Sequence, residues 1–318
     1  PYAPAARRAI TVPAGDLPLK KIPHARVCLL PIVAGFVGAD TVGAILATRI
    51  HETDGIRCLV DIGTNGEVVM GGNGRLMACS APAGPAFEGG QIKHGMRGAV
   101  GAIEAITITD DVACAVIGDA PALGICGSGL IDAVAKMLDA GVLDGGGRLR
   151  HQDLEALPPN VRTRIVPDDA GRAFVLVLGA VSSNGEDVIL SQMDIRQLQL
   201  AKAAIYAGVL MLQRIMDVSD DKIDELLLAG GFGNYINIDS AVRIRLLPPL
   251  PEDRITYVGN AALRGAEIAL LSERERHSAD EIVTKIEHVA LATRMEFQEI
   301  FVEACNLLAD NRISGRTR

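Results

Sequence analysis

The strongest pattern along the chain is a pair of apolar runs separated by a tight turn. Residues 59–62 and 67–71 have the composition of β-strands, and Asn65-Gly66 lies between them. Asn-Gly between two such runs predicts a hairpin, because glycine accepts the positive φ that the turn needs. A second glycine-rich turn at 72–74 leads to a third apolar run at 75–80. The three strands are therefore predicted to form an antiparallel meander.

Apolar residues recur at helical spacing in several other segments. Residues 40–50 are predicted to form a helix with Asp40 as its N-cap. The longest periodic segment follows a capping-box pattern at Asp194 and Gln197, and residues 224–229 form a short apolar strand after it. Further strands are predicted at 26–36, 102–109, 113–117 and 173–181, and further helices at 130–140, at 261–271 and in two C-terminal segments opened by Ser278 and Glu281.

Candidate chemistry begins with Asp61, which lies between apolar residues just before the Gly-Thr-Asn-Gly turn. Exposed amides and hydroxyl groups in such a turn can bind phosphate oxygens, and a carboxylate beside them can hold a hydrated magnesium ion. A purely structural hairpin explains this segment equally well when it is taken alone.

A second glycine-rich segment, Gly230-Gly231-Phe232-Gly233, directly follows the strand at 224–229. Glycines carry no Cβ, so the backbone there can pass close to a flat ligand. As an isolated motif it also fits a turn that packs a helix. Ser128 has two interpretations as well: it caps the helix that follows, or a ligand uses the donor-rich N-terminus of that helix, and capping is the favoured one.

Composition removes several classes of function. The 318-residue chain carries a net charge of −8, has 3% aromatic residues and lacks tryptophan, which argues against nucleic-acid binding. Hydrophobic residues make up 49% of the chain, yet the longest apolar run, 27–39, is too short to cross a bilayer. The six cysteines show no zinc or iron–sulfur spacing, so reduced thiols in a cytoplasmic protein, without an iron–sulfur cluster in this chain, are expected.

The order of these elements resembles the second lobe of the actin, sugar-kinase and heat-shock-chaperone ATPase superfamily. The order is a helix, an Asp-x-Gly hairpin, a three-strand meander, a long helix and a strand ending in Gly-Gly-x-Gly. The resemblance implies an α/β fold: an actin-like, ribonuclease H-like lobe with a mixed sheet of roughly five strands and helices on both faces, plus C-terminal helices. The strands at 59–62 and 226–229 should then be parallel neighbours.

Longer motifs narrow the resemblance to the reductive activators of corrinoid enzymes, over essentially the whole chain. These motifs are residues 33–41, 60–67, 78–89, 95–97, 125–132, 229–233 and 259–262. Members of that family couple ATP hydrolysis to the reduction of Co(II) corrinoids to Co(I), and carry an N-terminal ferredoxin-like cluster domain. The resemblance implies that this chain is the C-terminal part of such a protein, with a corrinoid-binding protein or methyltransferase as partner, and with a homodimer as a further expectation.

The resemblance also assigns roles to individual residues of an ATP/ADP and Mg²⁺ site. Asp61 would hold the magnesium ion through its water shell. Glu67 would orient a water molecule, although a solvated residue on a strand explains Glu67 equally well. Weaker candidates, each explained equally well by an exposed salt bridge or a cap, are Glu88, Lys202 and Asn260. The phosphate-binding residues would be Gly63, Thr64, Asn65 and Gly66, and the adenosine-binding residues Gly230, Gly231, Phe232 and Gly233.

Three segments follow from the resemblance. Residues 1–57 would contain a lead-in, the end of the first ATPase lobe and the connecting helix; 58–271 the second lobe; and 272–318 a C-terminal helical extension. Nothing before Asp40 supplies a first phosphate hairpin, so the chain alone is expected to bind nucleotide weakly and to hydrolyse it negligibly. A small-molecule kinase of the same superfamily and a nucleotide-independent docking module for a corrinoid protein are the alternatives.

Overall fold

A computed structural model describes residues 6–19, 21–169, 171–231 and 235–308 of the chain. The strands in these ranges are β1 (Ile10–Pro13), β2 (Arg26–Leu29), β3 (Arg57–Ile62), β4 (Gly66–Gly72), β5 (Arg75–Ala81), β6 (Ala102–Ile108), β7 (Val112–Val116), β8 (Gly124–Ile125), β9 (Ile165–Asp168), β10 (Gly171–Val177), β11 (Val188–Ser191), β12 (Glu225–Ala229), β13 (Ile255–Gly259) and β14 (Glu287–His288). The helices are α1 (Ala39–Thr48), α2 (Gly127–Asp139), α3 (Pro159–Thr163), α4 (Gln192–Met216), α5 (Ile238–Arg243), α6 (Ala261–Leu271), α7 (Glu273–Lys285) and α8 (Met295–Ala304).

A mixed sheet with the strand order β13-β12-β3-β4-β5-β14 forms the centre of the fold. β3, β4 and β5 are the antiparallel meander that the sequence predicts. β12 lies parallel to both β3 and β13, so the expected parallel pair is confirmed. The sheet has six strands in the part of the chain that the structure describes, one more than expected.

Both faces of this sheet are buried. Along β3 the side chains alternate, so Cys58 and Val60 pack into one hydrophobic cluster and Leu59 into the other. Helices α2 and α4 supply apolar residues to the first cluster, and α1, α6 and α7 to the second. Burial on both faces explains why these strands are nearly continuous apolar runs in the sequence.

Helices α1 and α6 approach each other backbone to backbone. A Cβ atom built on Gly265 would lie 1.9 Å from the carbonyl oxygen of Gly43, and one built on Gly43 would lie 2.9 Å from the carbonyl oxygen of Ala262. No side chain fits between the two helices at this crossing, so the glycines set their separation.

Helix α4 packs directly beneath the predicted hairpin. A Cβ atom on Gly66 would lie 2.5 Å from Cγ1 of Ile205, a residue in the middle of α4. The helix begins with a capping box in which the Ser191 side chain accepts from the amide of Asp194 and the Asp194 side chain accepts from the amide of Ser191. The hairpin is therefore supported by a capped helix of 25 residues.

Smaller elements surround this core. β7-β6-β8 and β11-β10-β9 each form a three-stranded sheet, and β1 pairs with β2. Helix α8 packs on α4, and its residues Phe297 and Ala304 are buried in the hydrophobic cluster to which α4 contributes. None of the helices in the described ranges is long and apolar enough to cross a membrane.

Several predicted helix starts are wrong, although α6 has the predicted bounds. Gly38, not Asp40, is the N-cap of α1. The capping box of α4 pairs Asp194 with Ser191 and not with Gln197. Ser278 lies inside α7, whose N-cap is Ser272. These starts are misplaced because several residues near the beginning of each helix can serve as the cap, and only the backbone geometry selects between them.

Two strand predictions extend too far. The predicted strand at 26–36 ends at Leu29, two residues before Pro31, which has no amide hydrogen for a ladder. The predicted strand at 173–181 ends at Val177, and a short 3₁₀ turn, Gly179–Val181, follows it. Apolar composition continues past the strand in both places while the backbone turns.

The α1–α6 crossing provides a test of the packing. We expect Gly265→Ala to lower the free energy of unfolding by about 2 kcal/mol or more, because the new methyl group forces the helix backbones apart. Chemical denaturation measures this change. The matched control is Gly208→Ala in α4, where a Cβ atom would meet ordinary contacts at 3.4 Å. Since alanine also has the higher helix propensity, the control should be neutral or stabilising; equal losses in both variants would contradict the packing account.

Candidate functional site

Two predicted motifs meet at the carboxyl ends of β3 and β12. Ala229 pairs with Asp61 across the parallel strands, so Gly230 follows directly beside the carboxylate. Gly230 has a φ of +102°, and a Cβ atom there would lie 2.8 Å from the carbonyl oxygen of Ile62 and 3.0 Å from Oδ1 of Asp61. Only glycine fits this position. Ligands of open α/β sheets gather at strand carboxyl ends, so this is the candidate site.

The rest of the Gly-Gly-x-Gly motif is only partly described. Apart from its chain neighbours, no atom of the described residues lies within 4 Å of a Cβ built on Gly231. A flat ligand can therefore approach the backbone at this residue. Phe232 and Gly233, which were predicted to bind adenosine, lie outside the described residues.

The hairpin turn presents polar groups to solvent. The amide of Gly63 donates to the carbonyl oxygen of Asn65 at 3.0 Å. Thr64 and Asn65 are exposed, whereas Gly66 is buried against α4. The Thr64 hydroxyl donates to Glu88, a residue on the loop that follows β5. Gly63, Thr64 and Asn65 are therefore accessible to a ligand, and Gly66 fixes the position of the turn.

Two carboxylates lie opposite each other on β3 and β4. Asp61 pairs in register with Glu67, and both side chains are partly buried. Burial, together with the negative charge of Asp40, raises the pKa of Asp61 to about 6. Burial also raises the pKa of Glu67 to about 7, although the hydroxyl of Ser80, 3.0 Å from Oε1, opposes the shift. The charges of Asp40 and Asp61 contribute to raising the pKa of Glu67.

This concentration of negative charge fits a bound cation. Among the described residues, neither Asp61 nor Glu67 forms an ion pair or a hydrogen bond with lysine or arginine. No group of three or more His, Cys, Asp or Glu side chains in the described ranges converges as a metal site. Magnesium suits this arrangement, because it keeps several waters and is held by one or two carboxylates together with phosphate oxygens.

A cleft of about 590 Å³ lies beside this end of the sheet. Its volume is in the range of small-molecule pockets. Gly231 and Glu88 form part of its wall, and Glu88 also accepts the hydrogen bond from Thr64 in the hairpin turn. Its other walls are apolar and charged side chains from three parts of the chain, including Phe87, Met96, Arg97, Glu104, Ile117 and Tyr235. The cleft therefore connects the hairpin with the Gly-Gly turn.

Sequence reasoning singled out Glu88, Ser128 and Gly231 as candidates, but it did not single out the other residues that form this cleft. Phe87 and Arg97 belong to glycine-rich motifs that the resemblance uses, but no pattern connects them with Glu104 or Tyr235. The high density of glycines between residues 84 and 98 is the one sequence signal that could have indicated a tightly folded loop in the cleft wall. Gly89 and Gly95 allow a close turn there, since a Cβ atom on Gly95 would lie 2.1 Å from the carbonyl oxygen of Gly89.

Ser128 does not cap α2, so the favoured interpretation of this residue is wrong. Cys126 is the N-cap residue, without a side-chain hydrogen bond to the helix, and Ser128 is the second residue of the helix. The Ser128 hydroxyl lies 3.2 Å from Sγ of Cys126. Gly127 and Ser128 form part of the cleft wall. The N-terminus of α2 therefore remains an alternative location for a phosphate group.

Two of the weaker candidates have structural roles. Lys202 is fully buried and donates to the carbonyl oxygens of Ala304 and Asn306, which fastens the end of α8 to α4. Burial, together with the positive charge of Arg245, lowers the pKa of Lys202 to about 7. Asn260 is the N-cap of α6, because its Oδ1 accepts from the amide of Leu263 at 2.9 Å.

Comparisons with known proteins agree with this architecture. Residues 55–314 match the family described as the C-terminal domain of RACo, the ASKHA domain, and residues 1–53 match the RACo middle region. A solved structure of a reductive activator for corrinoid,iron-sulfur protein superimposes with a TM-score of 0.85 at 39% sequence identity. That match covers 96% of this chain and 48% of the other.

Two curated relatives are similar over most of the chain. Corrinoid activation enzyme RamQ of Eubacterium limosum is 35% identical over 95% of this chain and 51% of its own length. The [Co(II) methylated amine-specific corrinoid protein] reductase of Methanosarcina barkeri is 24% identical over 89% of this chain and 52% of its own length. The chain thus spans about half the length of these relatives. With its actin-like sheet, helices on both faces and C-terminal helices, the chain belongs to the RACo C-terminal ASKHA domain family.

Proposed function

We propose that this protein acts as the C-terminal part of an ATP-dependent reductive activator, which returns Co(II) corrinoid proteins to the Co(I) state. The names of its relatives, a corrinoid activation enzyme and a Co(II) corrinoid protein reductase, support the substrate class. Its partner would be a corrinoid-binding protein or methyltransferase. The ASKHA domain of these activators implies nucleotide binding in the family.

The observation that carries this proposal is the meeting of the Asp61 hairpin with Gly230 beside an open cleft. The turn of Gly63, Thr64 and Asn65 would bind phosphate oxygens, with the Thr64 and Asn65 amides as donors, since the Gly63 amide already donates to the carbonyl oxygen of Asn65. Asp61 would hold the water shell of Mg²⁺. The apolar cleft next to Gly231 would hold the adenosine, so base and phosphates would lie on either side of Glu88.

Glu67 fits the role of a group that orients and deprotonates a water. Its pKa near 7 lets it exchange a proton close to neutral pH, which suits a general base. The Ser80 hydroxyl fixes the orientation of its carboxylate at 3.0 Å. Bound Mg²⁺ would supply charge neutralisation for the phosphates. Asp61 and Glu67 then have different tasks, although they lie opposite each other on adjacent strands.

Nucleotide can assist a difficult reduction only through a difference in affinity between two conformations. Closure of two lobes across a nucleotide is an established element of this kind. The residues described here would provide one side of such a closure. Charge stabilisation in phosphoryl transfer needs donors on both sides of the phosphates, so we expect weak binding and negligible hydrolysis by these 318 residues alone.

The raised pKa of Asp61 gives a stability prediction for the protein without metal or nucleotide. The carboxyl group binds its proton more tightly in the folded state, with a pKa of about 6 against the usual 3.8, so its ionisation progressively destabilises the fold as pH rises from about 4 to 7. Asp61→Asn should therefore be more stable than wild type at pH 8, by at most about 3 kcal/mol. The difference should vanish near pH 4.

Denaturant unfolding at pH 4, 6 and 8 measures this difference. Glu104→Gln is the control, because Glu104 is exposed and lies on β6 in the cleft wall, not on the central sheet. Its stability should follow the wild type at every pH. If the stability of Asp61→Asn also equals that of the wild type at every pH, then ionisation of Asp61 does not destabilise the fold, and this account of its burial is wrong.

The second prediction concerns magnesium in this chain. Calorimetric titration with ADP should show binding that strengthens when Mg²⁺ is added to the wild type, but not to Asp61→Asn. The reason is that asparagine keeps the shape of aspartate and removes the charge that faces the cation. Wild-type binding should also weaken below about pH 6, where the proton competes with the metal for Asp61. Equal magnesium dependence in both proteins would place the ion elsewhere.

The third prediction applies to the intact protein that contains this region. Asp61→Asn should reduce ATP-dependent corrinoid reduction at least tenfold, which corresponds to about 1.4 kcal/mol of lost transition-state stabilisation. Affinity for the corrinoid protein should change much less, because the substitution leaves the outer surface intact. Cobalt spectroscopy follows the reduction, and a pull-down with the corrinoid protein follows the binding. Full activity in the variant would remove Asp61 from the mechanism.

A further inference from the structure

One hydrogen bond links the hairpin directly to the wall of the cleft. The Thr64 hydroxyl donates to Oε1 of Glu88, which lies 24 residues further along the chain. The amide of Gly84 donates to the carbonyl oxygen of Thr64 at 2.9 Å. The loop between β5 and β6 is therefore bound to Thr64 at two points, by the backbone amide of Gly84 and by the side chain of Glu88.

The same loop reaches two helix starts. The amide of Lys93 donates to Oδ1 of Asp194, the residue that completes the capping box of α4, at 2.8 Å. The amide of Met96 donates to the carbonyl oxygen of Ile125 at 2.9 Å, immediately before the N-cap of α2. Both ends of the loop are therefore fixed, and Glu88 lies where the loop contacts the hairpin.

The Thr64 hydroxyl has a single proton to donate. While that proton is shared with Glu88, the hydroxyl cannot donate it to a phosphate oxygen. Glu88 is exposed and carries no salt bridge among the described residues, so its negative charge faces the cleft without an ion-pair partner there. A phosphate group at the hairpin and the Glu88 carboxylate would be two anions that compete for one donor.

We infer that Glu88 is a positioning residue that holds the Thr64 hydroxyl in the nucleotide-free protein and must release it when phosphate binds. This inference rests on the proposed function, because it assumes that phosphate binds at the hairpin. Glu88 then acts through Thr64 and not on the reacting atoms. Release of the contact would free the Glu88 side chain, while the loop backbone stays bound to Thr64 through Gly84 and to the starts of α2 and α4 through Met96 and Lys93.

The test is the affinity for Mg-ADP, measured by calorimetry on the whole chain. Glu88→Gln keeps the shape and an acceptor oxygen but removes the competing charge, and we expect the Kd to fall at least threefold. Glu104→Gln is the matched control: it removes the same charge from the wall of the same cleft, away from Thr64. Its Kd then measures the general electrostatic effect of one charge in the cleft wall, and it should change by less than the Kd of Glu88→Gln does.

A double-mutant cycle separates competition for the hydroxyl from general electrostatics. In a Thr64→Val background the hydroxyl is absent, so adding Glu88→Gln should change the Kd by no more than Glu104→Gln does. Thr64→Ser restores a hydroxyl and should restore the gain from Glu88→Gln. Thermal unfolding of every variant shows whether the fold is kept, which is expected because Thr64 and Glu88 are both exposed.

The outcomes are distinguishable. Unchanged or weaker binding in Glu88→Gln would overturn the inference, as would an equal gain in Glu104→Gln or a gain that persists in Thr64→Val. If the wild type shows no affinity for Mg-ADP at any concentration, the proposed nucleotide site itself fails.

Discussion

The parallel pairing of β3 with β12 is the constraint on which the candidate site depends. Its register sets Ala229 opposite Asp61, so that the strand carrying the carboxylate and the strand leading into Gly230 end side by side. A slip of one residue would turn every side chain of a strand to the other face. Because both faces of the sheet are packed with apolar side chains, such a slip would bury Asp61 in a hydrophobic cluster. Packing of the core therefore also fixes the chemistry at the sheet end.

Close backbone approach is the second constraint, and it links function with stability. Gly230 lets a chain segment pass over the Asp61 carboxylate, Gly66 lets α4 support the hairpin, and Gly265 lets α6 approach α1. Each position excludes a Cβ atom for a different reason: a left-handed φ, a neighbouring isoleucine and a neighbouring helix backbone. These glycines keep the elements around the site at fixed distances, which is what a site built from backbone amides requires.

The sequence pattern alone predicted the meander and α6, since these depend on local composition, whereas the parallel pair was expected from the resemblance to the ATPase superfamily. Helix starts were less predictable, as Asp40 and Ser128 illustrate, because a capping residue is defined by backbone geometry that short patterns do not determine. Contacts between distant residues were not predictable at all. Nothing in the sequence pairs Thr64 with Glu88, and nothing distinguishes Lys202, which fastens α8, from a lysine in a ligand site.

The central claim is that the hairpin and the Gly-Gly turn form one nucleotide site. A crystal structure of the protein with Mg-ADP at high concentration tests it most directly, since it locates the phosphates and the base independently. The account predicts phosphates at the turn of Gly63 to Asn65, on the amides of Thr64 and Asn65, a hydrated magnesium ion on Asp61 and the base in the cleft beside Gly231. Phosphates at the N-terminus of α2, on Gly127 and Ser128, with Asp61 free of metal, would contradict it.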